Sequence, residues 1–83
     1  MIINRQMVQT LVDNLADKYP AAVKGVIPEK ISLSLLQNIL SGLVTRKRPV
    51  RNLIKIVEVL EVEAEGTRIV EELLDIIIVR LCN

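Results

Sequence analysis

The residues best able to do chemistry in this 83-residue chain are charged, and they fall into two groups. Arg46, Lys47, Arg48 and Arg51 place four positive charges within six positions. Cationic groups this dense can contact phosphate or a complementary acidic protein surface, and they make a candidate partner interface. They also suit the solvated end of a helix, where the dipole favours positive charge. The second group is acidic: Glu58, Glu61, Glu63 and Glu65, then Glu71 and Glu72. Carboxylates do acid–base work when an apolar enclosure or a partner base shifts a pKa, and the sequence supplies neither. A calcium loop needs closely spaced Asp and Asn around a turn glycine, which this stretch lacks. It reads as a solvated or partner-facing acidic surface.

Composition removes further chemistry. There is no His, Phe or Trp, one tyrosine (Tyr19) and one cysteine (Cys82). Without His or a Cys cluster there is no transition-metal site and no Ser/His or Cys/His nucleophile pair. With Tyr19 as its one aromatic residue, the chain has no platform on which successive bases of single-stranded nucleic acid stack. A net charge of +1 gives no global field for polyanions. No enzymatic activity and no cofactor are expected. Cys82 cannot form an internal disulfide, which fits a reducing compartment, and it reads as a small hydrophobe. No apolar run approaches the roughly 18–20 residues needed to cross a bilayer. Met1 to Arg5 lack the apolar region of a signal peptide. The expectation is a soluble, cytoplasmic chain with no membrane contact of its own.

The elements that must position these charges follow from periodicity. Hydrophobic residues make up 51% of the chain and are nearly all aliphatic. One small domain of this length buries only about 60% of its unfolded surface. Leu35, Leu36, Ile39, Leu40, Leu43 and Val44 form one apolar stripe, which predicts a central helix running into the basic cluster. Ser34 and Gln37 have the form of a capping box for it. Gly42 inside this helix costs about 1 kcal/mol against Ala, which close helix packing would explain.

Before it, Asn4 suits an N-cap for a helix reaching Tyr19, with Val8, Leu11, Val12, Leu15 and Tyr19 on its inner face. Tyr19 reads as a packing residue. Pro20 starts a short helix that Gly25 closes. Segments near Ile31 and Val50 could pair as a minimal two-stranded ribbon. After it, Leu53, Ile54, Ile56, Val57 and Leu60 predict a further helix. Thr67 is placed to cap a last one whose inner face is Ile69, Val70, Leu73, Leu74, Ile77 and Leu81. Ile76 to Val79 are four β-branched residues that could form a strand; their continuity with the helical spacing before them favours helix. A helix apolar over so wide an arc calls for burial on most sides, so self-association is expected. The fold class is mainly all-α, a small bundle of four to five helices.

Three segments carry a family resemblance. They are Val8 to Pro20, then Val26 to Leu40 with its Ile27-Pro28 connector and Leu36-Gln37, then Arg48 to Leu53 with Ile56 to Leu60. Together they resemble the cytoplasmic region of the export-gate family of type III secretion (FlhA, or FHIPEP), in its flagellar branch. The likeness is strongest over residues 4–60 and weak after Leu60. Lys47 stands near where family members usually have glutamate or glycine. The resemblance implies that residues 1–83 are one helical unit similar to the third cytoplasmic subdomain, a fragment of a protein whose full-length members also have a membrane domain. It implies a structural and interaction role in protein export. The partners would be sister subdomains, neighbouring subunits and chaperone–substrate complexes. The alternative from another class is a small helix-turn-helix-like DNA binder that uses the central helix, the turn at Pro49 and the basic cluster; nucleic acid is the less favoured partner.

Overall fold

Five helices make up the fold in the computed structural model, which describes residues 3–27, 29–48 and 52–82 (backbone alone for Cys82). They are α1 (Arg5–Lys18), α2 (Pro20–Val23), α3 (Leu33–Thr45), α4 (Leu53–Glu63) and α5 (Val70–Cys82). α3 is central. It packs against α1 on one side and α5 on the other, while α4 lies against α5 and α2.

Asn4 caps α1 as expected, its Oδ1 accepting the Met7 N–H at 2.8 Å. Val8, Val12 and Leu15 are buried. Tyr19 is a correction: it leaves the helical stripe and stands 48% exposed. The backbone turns out of the helix at this residue (φ −135°, ψ 69°), so the ring no longer follows the α1 inner face. Pro20 is the first residue of α2, and Gly25 then takes φ +79°, a left-handed conformation that glycine adopts without steric cost. That turn sends Val26, Ile27 and Ile31 into the core.

The cap of α3 is Ser32, whose Oγ accepts the Leu35 N–H at 3.0 Å. The expected Ser34–Gln37 capping box does not form. Those side chains face α1 instead: Arg5 Nη2 donates to Ser34 Oγ at 2.7 Å and Arg5 Nε to Gln37 Oε1 at 2.9 Å. Gln37 Nε2 donates onward to the Ile3 carbonyl at 3.3 Å. Residues three apart share a helix face, so the spacing of a capping box also suits a two-point clamp. The predicted stripe is in place, with Leu35, Leu36, Ile39, Leu40 and Leu43 buried and Val44 half-buried.

In α4, Ile56, Val57, Val59 and Leu60 are buried, whereas Leu53 and Ile54 are half-buried. α5 begins at Val70, later than Thr67 would place it. Thr67 Oγ1 accepts the Ile69 N–H at 3.2 Å and donates to Glu72 at 3.0 Å, so it braces the approach to the helix. Ile69, expected inward, precedes the first turn and is 61% exposed. Ile76 to Val79 are helical, which removes the strand alternative. Leu73, Leu74 and Ile77 face the core, and their burial at roughly 1.5–3 kcal/mol each outweighs the few tenths by which β-branched residues disfavour a helix. Among the described residues there is no strand. Ile31 is a buried bend ahead of α3, and Val50, the other side of the expected ribbon, lies outside the described residues.

Candidate functional site

The basic cluster sits where α3 ends. The Arg48 N–H donates to the Leu43 carbonyl at 2.8 Å and the Lys47 N–H to the Val44 carbonyl at 3.0 Å. This six-to-one and five-to-two pair is the Schellman ending of a helix, which sets one residue in the left-handed region. Here that residue is Lys47, at φ +57°. Glycine is usual at such a position, and a side chain there costs about 1–2 kcal/mol. Arg46 Nη1 reaches back to the Gly42 carbonyl at 3.4 Å. Arg46, Lys47 and Arg48 are all exposed, so the ending gathers three charges around the negative pole of α3. Arg51, the fourth, lies outside the described residues.

The acidic group is dispersed. Glu61 faces Lys30 at 3.6 Å and Glu63 receives Arg80 Nη2 at 2.8 Å, while Glu72 is held by Thr67. The first two contacts tie α4 to the turn before α3 and to α5. Exposed pairs of this kind contribute about 0–1 kcal/mol each. Among the described residues no group of three or more His, Cys, Asp or Glu could hold a metal ion. No polar or charged residue among them is buried, so the core itself offers no reactive group.

A cleft of about 300 Å³ between the end of α1 and the start of α4 escaped the sequence reading. Leu11, Leu15, Leu53 and Ile54 give it an apolar floor, with Asn14, Lys18, Tyr19 and Asn52 around them. Its only signal in the sequence is a set of apolar positions in α1 and at the start of α4, which periodicity assigns to the core. The cleft could receive an apolar side chain of a partner.

The charge of α4 gives the helix-turn-helix reading no support. α4, in the place of the reading helix, carries Lys55 against Glu58, Glu61 and Glu63, the wrong sign for a phosphate backbone. No helix of the described residues is long and apolar enough to cross a membrane.

The family model described as FHIPEP matches residues 1–83. That span includes the part beyond Leu60, where the resemblance of single segments is weak. The flagellar biosynthesis protein FlhA of Bacillus subtilis (strain 168) is 37% identical over 59 residues, which are 71% of this chain and 9% of that relative. The chain therefore corresponds to a small part of the curated relative it matches. No solved structure matches it.

Proposed function

The chain belongs to the FHIPEP family, and from that premise we propose that it is a non-catalytic packing and docking unit of a flagellar-type protein-export gate. The observation that carries the proposal is the family match along all of residues 1–83. The fold is of a kind that suits such a role. Its core is wholly aliphatic among the described residues, and its polar groups lie on helix ends and outer faces. Such a unit offers surfaces and no reaction centre. On this reading its partners are other parts and other subunits of the gate, and export chaperones with their cargo, on the cytoplasmic side of the membrane.

The basic ending of α3 is the surface assigned to an acidic partner, through Arg46, Lys47 and Arg48, with Arg51 the fourth cation of the same sequence cluster. A photo-crosslinking residue in place of Lys47, introduced in the source cell, tests this. Adducts with gate components or export chaperones are the expected result. Adducts confined to unrelated cytoplasmic proteins, or to nucleic acid, would overturn it.

A further inference from the structure

We propose that the cleft between α1 and α4 and the basic ending of α3 form one docking surface, whose occupant is an acidic segment of another protein with one large apolar side chain as anchor. This rests on the reading of the basic ending as the place of an acidic partner, and it adds the anchor and its seat. The cleft holds about 300 Å³ over an apolar floor. An apolar cavity of about 150 Å³ takes up benzene, so the space suffices for a leucine or methionine side chain.

The rim of the cleft fixes what borders the anchor. Asn14, Lys18, Tyr19 and Asn52 surround the floor. Their side chains make no hydrogen bond or ion pair with other described residues, and Asn52 leaves α4 without a side-chain cap. All four carry an N–H or O–H donor. The one charge in the lining is the Lys18 ammonium; Asp13 and Asp17, its neighbours on α1, lie outside it. Donors around an apolar floor match an anchor flanked by carboxylates. The α3 ending extends the same preference. Lys47 and Arg48 are exposed, and Arg48 precedes Asn52 by four positions. At about 3.8 Å per peptide step, the Arg48 and Asn52 Cα atoms lie within about 15 Å of each other. A helical segment of about ten residues has that length, so one partner segment reaches from the cleft to the cations. A phosphate backbone would satisfy the cations but has nothing to place on the apolar floor.

The test is selection of displayed random peptides of about ten residues on the 83-residue chain, followed by fluorescence anisotropy of the enriched ones. Enriched peptides are expected to carry acidic residues around one large apolar residue. N14W fills the cleft from an exposed position and should weaken their binding about tenfold or more, the worth of one buried apolar side chain. K18E and K47E should each weaken it about two- to fivefold, less so at high salt. Far-UV circular dichroism controls for folding of all three variants. No enrichment over an unrelated control protein overturns the proposal. So do basic peptides, acidic peptides without an anchor, or binding that N14W leaves intact. A consensus that reproduces the chain's own Glu61 to Glu65 stretch would make a second copy the occupant and overturn it as well. Crosslinking at Lys47 bears on the export reading alone: acidic, anchored peptides together with adducts to proteins outside export would sink that reading and leave this one standing.

Discussion

Leu74 of α5 seats its side chain on Gly42 of α3. A methyl group built on Gly42 would lie 2.5 Å from Leu74 Cδ1, 3.1 Å from Cδ2 and 3.3 Å from Cγ. Leu74 is only 2% exposed, so its isobutyl group has little room to withdraw. The glycine is what lets the central helix and the last helix approach. G42A should therefore destabilise the chain by about 1–3 kcal/mol, although Ala is the better helix former by about 1 kcal/mol. Urea denaturation checks this. The double variant G42A/L74A should cost less than the sum of its two single changes, because the first fills space that the second vacates. Additive costs would mean that the two residues do not press on each other.

The start of α3 separates two roles that look alike in sequence. S32A should cost about 1 kcal/mol, the usual loss for an N-cap. S34A should cost about 0.5 kcal/mol, one exposed hydrogen bond, and nothing further once R5A has been made. Denaturation midpoints for the four variants S32A, S34A, R5A and R5A/S34A test the assignment. If S34A were the costlier of the two serine changes, the cap would lie where the sequence alone suggests.

The five helices and their inner faces were legible because aliphatic spacing in a chain with one aromatic residue leaves few ways to close a core. Leu36, Ile39 and Leu40, all fully buried, are the clearest instance. The errors fall at helix ends. Tyr19 and Ile69 continue a helical stripe on paper, but each flanks its helix as an end residue, joined to it by one backbone hydrogen bond, and stands exposed. Ser34 and Gln37 carry a local signature that a long-range partner, Arg5, overrides. Periodicity cannot show that partner, since the two segments are 29 and 32 positions apart. The candidate site was legible only as charge. That Lys47 lies in the left-handed region depends on where α3 stops, which the basic run itself obscures.

Lys47 is a place where stability is given up. K47G should stabilise the chain by about 1 kcal/mol, because glycine takes φ +57° without a steric penalty. The reverse holds at φ +79°, where G25A should destabilise by about 1 kcal/mol despite open space around its Cβ. Chemical denaturation of both variants gives opposite shifts in midpoint if backbone conformation governs each site. Where K47G also weakens crosslinking to a gate partner at Arg46 or Arg48, the strained lysine serves binding at the expense of stability.

The central claim is that this unit serves protein export. Its most direct test is in-frame removal of the codons for residues 1–83 in the source cell, followed by quantification of hook and filament proteins in the medium. Re-expression of the intact reading frame is the control. The account predicts loss of those proteins from the medium and of motility, both restored on re-expression. Export that continues unchanged without residues 1–83 would contradict it.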